Sequence, residues 1–382
     1  MSGPRSARPR VLYLGPAVNP IVRGRVLPFA ARYPCAWVTS APGPESLRAA
    51  LEVYELPRAA LTRLPRRMFV HTLDYLLEAW DVVWRRFRPD LIHVHYVSQL
   101  DALALLPLRG VPLVLTVMGG DVLEDQIPRG PLLDRAVRRI FRRAAAVTAK
   151  SEFLAARSRE LGARRVELVR WGIDLGCFQP QDQGAARAAL GLPQDARLLL
   201  SSRALQPLYN HLAVLEAVAG LPKPPEVVVT RHAADPAYAQ AVRGRAQALG
   251  IRLHELEGLP TARMPTLYAA ADACVSIPAS DGLPQTLLEA LACARPTAVL
   301  DLEAYRELPF AEDACPRAAH VHGRPDGPAL RDALARVLAP GPRPGVEAGR
   351  AWVQAEASLE ASVARVDALY RELAGRSDSP AS

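Results

Sequence analysis

Short runs of consecutive apolar residues alternate along this chain with longer stretches whose apolar positions recur at helical spacing. Runs of the first kind suit strands buried on both faces, and the second kind suits helices with one buried face. Their alternation predicts parallel sheets joined by crossover helices. VLYLGPAV, from Val11, reads as a strand ending in a glycine loop, and CAWVTS as the next one. Residues 90–94 and 112–117 form a further pair with a helix between them, and AAAVT precedes the helix EFLAARSREL. RLLLSS, EVVVT, ACVSIP and PTAVLD repeat the pattern in the second half.

The helical stretch over 64–88 places Leu73, Leu76, Leu77, Trp80, Val83 and Trp84 on one face, with Arg66 and Arg67 at one end and Arg85, Arg86 and Arg88 at the other. LLDRAVRRIFRRA carries Arg135, Arg138, Arg139, Arg142 and Arg143 along one broad side. Such a surface suits an anionic membrane face, and equally a solvated face over an ordinary core contact. PIVRGRVLPFAARYP predicts a short helix that brings Arg23 and Arg25 near the first glycine loop. QDQGAARAALGLPQDA, polar and glycine-rich, predicts a linker. EASLEASVARVDALYRELA predicts a last amphipathic helix, followed from Gly375 by a tail of disordered composition.

At 382 residues, half of them hydrophobic, the chain has room for two globular cores. No apolar run reaches membrane-spanning length, and MSGPRSARPR lacks the apolar core of a signal peptide, which predicts a cytoplasmic protein. Cys35, Cys177, Cys274, Cys293 and Cys315 are odd in number and lack metal-ligand spacing, so buried thiols are expected. The net charge of +8 rests on arginine, Lys150 and Lys223 being the only lysines. A basic surface suits a nucleoside diphosphate, an anionic polymer or a membrane face. Nucleic acid is disfavoured, because the arginines are not interleaved with aromatics.

Chemistry concentrates in SIPASDGLPQTLLEALACARPTAVLD, residues 276–301. Pro284 suits a first helical position, so the N–H groups free at the helix start come from Gln285 and Thr286 and favour an anion. Asp281 and Glu289 bracket that start. Carboxylates beside an anion site suit acceptance from sugar or ribose hydroxyls. Strand, acidic glycine turn, helix and strand make one βαβ unit with its polar groups at the carboxyl end of the strand, where open α/β sheets bind ligands.

This arrangement resembles the acidic pair of retaining GT-B glycosyltransferases of family 4, in which a Glu-Gly turn precedes LLEAMACG. Asp281 stands in place of the first Glu, and Ala294 in place of the last Gly. PDLIHVH, TVMGGD, WGIDLGCFQP and the stretch RLHELEGLPTARMPTLYAAADA carry the resemblance over nearly the whole chain. It implies an α/β GT-B fold, two Rossmann-like domains facing across a cleft. Residues 1–180 would form the acceptor side and 181–350 the donor side, with helix 351–374 crossing back to the first domain and a disordered tail over 375–382.

The resemblance also implies site residues. Arg203 would hold the donor diphosphate through its planar fork, Glu289 the ribose and Asp281 the sugar hydroxyls, and these three form the catalytic set. Gly282, Leu283, Pro284, Gln285, Thr286, Tyr209, Asn210, Arg231 and His232 would complete the donor site, with Gly258 and Leu259 packing on the base. Gly15, Arg23, His95, Met118, Gly119, Gly120 and Asp121 would line the cleft from the first domain. Beyond Asp281 and Ala294, four further places depart from the family pattern. Met118 replaces a His, QPLYNH after Arg203 lacks a Lys, Thr230 to His232 replace Gly-x-Gly, and Trp171 replaces Asn.

The implied reaction is transfer from a nucleotide-diphosphate sugar to an acceptor hydroxyl with retention, the departing phosphate taking the acceptor proton. No metal is expected, since no Asp-x-Asp pair is present, and no cofactor beyond the nucleotide-sugar substrate. The basic helices favour a lipid-linked or surface-polysaccharide acceptor, met at the inner face of a membrane. The departures leave open a degenerate GT-B scaffold that binds a nucleotide sugar or a partner without turnover. A sugar-nucleotide epimerase is a third reading, for which further acid and base residues are not evident.

Overall fold

The computed structural model describes all residues except 1–7, 18, 40–43, 56–66, 98, 124–129, 309–313, 342 and 377–382. Contacts divide the chain into two units, Met1–Trp171 with Ala361–Ser382, and Gly172–Glu360. In the first, β1 (Val11–Leu14), β2 (Cys35–Thr39), β3 (Glu52–Glu55), β4 (Leu91–His95), β5 (Leu113–Thr116), β6 (Ala146–Ala149) and β7 (Val166–Leu168) form one parallel sheet. Its order is β3-β2-β1-β4-β5-β6-β7. The inner strands are buried along their whole length, which is why they read as unbroken apolar runs.

The strand order reverses between β1 and β4, and Gly15 follows β1 there. Its φ is +134°, and a Cβ at this position would fall 2.4 Å from the His95 carbonyl oxygen. Only glycine accepts both conditions. Gly15→Ala is expected to cost roughly 2 kcal/mol or more, read from urea melts; an unchanged midpoint would contradict this close approach.

The long helix runs from Arg67 to Asp81 and ends in a π turn, Val82–Arg86. Tyr75, Ala79, Val82 and Val83 are buried, whereas Leu77 and Trp84 are 51% and 55% exposed. The inward face is therefore turned away from the one the apolar spacing predicts. Tyr75 is drawn in to donate to buried Asp101, and the wider final turn re-aims Trp84. Arg66 and the side chains of Arg67 and Leu73 lie outside the described residues.

In the second unit, β8 (Leu198–Ser201), β9 (Glu226–Thr230), β10 (Leu253–Leu256), β11 (Ala273–Ser276), β12 (Thr297–Leu300) and β13 (Arg317–Ala318) form a parallel sheet ordered β10-β9-β8-β11-β12-β13. Its order reverses between β8 and β11. The expected linker is mostly a helix, Gln183–Leu190. Asp182 caps it through the Ala185 N–H at 2.7 Å, and left-handed Gly191 closes it. Arg187, 5% exposed, then pairs with Asp272 at 2.9 Å.

The unit boundaries also differ from those expected. WGIDLGCFQP joins the second unit from Gly172 onward, because Ile173 donates to Ala357 (3.0 Å) and accepts from Leu359 (2.8 Å). Gly172 lies so close that a Cβ would meet the Ala357 oxygen at 1.7 Å. The helix Pro344–Glu356 stays with the second unit, and only the segment from Ala361 returns to the first. There Tyr370 meets Tyr13 (3.2 Å) and His93, Tyr33 donates to Asp367 (2.6 Å), and Arg165 holds both oxygens of Glu372. That helix continues through Gly375 to Arg376, so the expected tail begins as helix; 377–382 lie outside the described residues. All five cysteines are free thiols. Among the described residues no helix is long and apolar enough to cross a membrane.

Candidate active site

The loops after β8 and β11 leave the second sheet on either side of its switch point, and they bring Arg203 to Asp281. Arg203 Nη2 lies 3.0 Å from Asp281 Oδ2, the two side chains being 13% and 10% exposed. Arg203 Nη1 donates to Thr286 Oγ1 at 3.3 Å, and the guanidinium lies 4.3 Å over the Tyr209 ring. Asp281 accepts in turn from the Tyr305 hydroxyl (3.3 Å) and the Gly282 N–H (2.7 Å). Burial opposes the Arg203 charge, but Asp281, Tyr209 and Tyr305 hold its pKa above the ordinary range. The result is a fixed cation in a low-dielectric setting, a preorganised place for phosphate.

Pro284 stands one residue before the helix, not in it; its ψ of 137° is the extended capping conformation, and Gln285–Ala292 is the helix proper. Leu283 has φ +111°, a strained value for a residue with a side chain. Gln285 donates to the Gly172 carbonyl at 3.3 Å. Glu289, on the same helix, is 9% exposed and accepts from the Tyr268 hydroxyl at 2.8 Å. That hydroxyl also meets Ser202 Oγ at 3.1 Å. Burial raises the Glu289 carboxyl to about 7, against the pull of Tyr268 and the Arg203 charge.

Asn210 does not present a free donor. Left-handed at φ +53°, it gives its amide to the Ile277 (2.9 Å) and Gly323 (3.0 Å) carbonyls, so it braces the loop where a bond to ligand was expected. Arg231 pairs with exposed Glu257, and no contact among the described residues joins it to Arg203. Exposed His232 lies beside Gly258, with Leu259 half-buried next to it, so the loops after β9 and β10 touch.

In the first unit Asp121, 2% exposed, accepts from the N–H groups of Met118 (2.9 Å), Gly119 (2.8 Å) and Val97 (3.1 Å). It folds the Met118-Gly119-Gly120 turn; burial raises its carboxyl and these bonds oppose that. His95, 1% exposed, stacks on His93 (4.2 Å) and meets the Trp171 edge (5.4 Å). Burial, then His93 and Arg25, push it well below the ordinary histidine range, so it is neutral. Arg23 donates to the Ala17 carbonyl at 3.0 Å. It is Arg25, 3% exposed, that lies over Trp171 at 5.2 Å, its pKa lowered to about 9 by burial against the pull of Asp121. The spacing Val22, Arg25, Val26, Phe29 marks the buried helix face and could have singled out Arg25.

At two departures from the family pattern the backbone is left-handed. Trp171 (φ +46°) and Ala294 (φ +56°) are left-handed where the pattern has Asn and Gly, residues that tolerate this region. Each holds it at about 1 kcal/mol of strain. Tyr96, Trp171, Ala233 and Leu283, all with positive φ, lie in the loops that follow β4, β7, β9 and β11.

Two doubly wound parallel sheets in one chain, the second with a fixed guanidinium and a buried carboxylate at its switch point, define a GT-B protein. Residues 25–173 match the family described as "Glycosyl transferase 4-like domain", and residues 182–337 match "Glycosyl transferases group 1". The chain belongs to the glycosyltransferase family that joins these two domains. Sucrose-phosphate synthase from Thermosynechococcus elongatus shares the fold with a TM-score of 0.82 at 21% identity, over 97% of this chain and 100% of that one. HepE from Anabaena, in complex with UDP and glucose, does so at 0.74 and 16%, over 96% and 100%. A D-inositol 3-phosphate glycosyltransferase of Nocardioides sp. is 36% identical over 143 residues. That match spans 35% of this chain and 31% of the relative's length.

Proposed function

We propose that the chain is a retaining glycosyltransferase acting on a nucleotide-diphosphate sugar. The observation that carries this reading is the Arg203 guanidinium, fixed at the switch point beside the start of the helix that bears Glu289. In the reaction, the acceptor oxygen forms a bond to the anomeric carbon as the bond from that carbon to the diphosphate oxygen breaks. The acceptor proton passes to the departing diphosphate on the same face. Arg203 and the helix-start N–H groups stabilise the charge that grows there.

Donor arrival exchanges partners. The diphosphate takes the guanidinium from Asp281, whose carboxylate turns to the sugar hydroxyls, while Tyr209 stays beneath Arg203. Glu289 Oε2 keeps Tyr268, and Oε1, which makes no hydrogen bond among the described residues, accepts from the ribose. The Anabaena complex supports a uridine nucleotide as the first donor to try. The basic helix Pro131–Arg143 supports a lipid-linked or surface-polysaccharide acceptor, reached by peripheral contact with the inner membrane face. The name of the Nocardioides relative adds inositol phosphate to the acceptor panel.

A thermal-shift screen of UDP, GDP, ADP, TDP and their sugars tests the donor site. A ligand at a hundredfold excess over its Kd stabilises by about 2.7 kcal/mol, and one base is expected to do so. NMR of the anomeric proton then shows whether configuration is kept. An inverted product sinks retention, and silence from every nucleotide sinks the donor site. The closed Arg203–Asp281 pair, with Met118 in place of histidine, favours a scaffold as second reading. That reading predicts tight nucleotide binding or none, and no donor hydrolysis.

A further inference from the structure

A groove of about 1130 Å³ opens at the amino-terminal edge of the first sheet, where the chain enters β5, β6 and β7. This is the edge opposite His95 and the Met118 turn. Val111, Pro112, Leu113 and Leu373 give it apolar surface. Arg109 and Arg164 enter it from the turns into β5 and β7, and the helix Pro131–Arg143 adds Arg135, Arg138, Arg139, Arg142 and Arg143. Among the described residues no carboxylate lines it.

Several of these arginines are held in place. Arg138 is anchored by Asp134 (2.7 Å) and the Glu160 carbonyl (2.9 Å). Arg143 donates through Nη1 to the Leu105 carbonyl at 2.6 Å, while its Nη2 is buried with no partner among the described residues. The Arg142 stem lies across Gly162, at φ +103°, where a Cβ would fall 2.6 Å from Arg142 Cγ. Burial, then Arg109 and Arg139, push Arg143 below the ordinary arginine range. Compensation of a helix dipole accounts for Arg142 and Arg143 in the last turn, since the effect fades beyond it. It does not account for Arg109, Arg135 or Arg164.

We propose that this groove is a binding site for a phosphate-bearing anion, separate from the donor site. Guanidinium forks suit phosphate oxygens, and several around one concavity suit an anion of more than one charge. Two sources share that chemistry, a soluble phosphate ester and the headgroups of an anionic membrane. The assignment does not depend on the proposed transfer reaction.

The test uses full-length protein carrying Arg203→Ala, so that the candidate diphosphate site does not contribute. Should that background melt early, wild type replaces it, with the same pairs of substitutions compared. Tripolyphosphate is titrated by calorimetry at low salt, and vesicles of equal phosphatidylglycerol and phosphatidylcholine are used in flotation. Arg109→Gln with Arg139→Gln is compared with Arg85→Gln plus Arg159→Gln, two exposed arginines outside the groove. The groove pair is expected to weaken binding at least tenfold and the outside pair less than twofold. Loss confined to tripolyphosphate assigns a soluble ligand, and loss confined to vesicles assigns headgroups. Equal loss in both pairs would mean that net charge alone acts, and it overturns the site, as does failure of both probes to bind.

Discussion

Arg203→Ala is expected to lower kcat/KM for the nucleotide-sugar donor by about 10²–10³ and to erase the nucleotide-dependent thermal shift. Removing the guanidinium deletes the fixed cation and leaves Asp281, 10% exposed, without its charged partner. Breaking a buried pair from one side costs about 3–5 kcal/mol, so some loss of apo stability accompanies the functional one. Arg203→Lys separates the two effects. A lysine keeps the charge beside Asp281 but cannot fork across two phosphate oxygens. It should recover most of the stability and little of the kcat/KM. Donor affinity within threefold of wild type in Arg203→Ala would place the diphosphate elsewhere.

Glu289→Gln is expected to raise stability and lower donor binding in the same protein. The folded-state carboxyl is raised from 4.5 to about 7 by burial, so the native state binds that proton more tightly than the unfolded chain does. The resulting penalty is absent below about pH 4.5, grows as pH rises to 7, and is complete above it. Glutamine removes it, a gain of roughly 3 kcal/mol at pH 8 and none at pH 4. Urea melts at the two pH values read the difference, and equal gains at both would refute the assignment. Calorimetry at pH 8 should show donor affinity reduced by about tenfold or more, since a charge-assisted bond to ribose becomes a neutral one. By the same sign, wild-type affinity should fall as pH drops below 7.

Arg203 and Asp281 are legible in the chain because each follows a buried strand. Arg203 follows LLLS and Asp281 follows ACVS, and a parallel sheet sends both loops to one edge. What the sequence does not carry is how the charges are shared. Nothing in the spacing of Arg203 and Asp281 says that each completes the other, nor that Tyr305 and Tyr209 brace the pair. Tyr268 reads as a core tyrosine, and it is one; its hydroxyl nevertheless points at Glu289. Asn210 shows the opposite case, a polar side chain in a site loop whose amide is spent on two carbonyls. The linker misreading has a local cause. Alanines between Asp182 and Gly191 are weak in hydrophobic pattern but strong in helix propensity, and both caps are present.

The returning helix bears on how the protein is made. Residues 361–376 complete the first unit, yet they leave the ribosome after the whole of Gly172–Glu360 has been translated. Until then Tyr13 and His93 lack the Tyr370 hydroxyl, and Tyr33 lacks Asp367. The second unit is continuous in sequence, with its entry and exit joined at Ile173 and Ser358. It can close while the first still waits for its last piece. Synthesis from the amino end usually lets the earlier of two domains fold first; here the earlier unit is the one that must finish last.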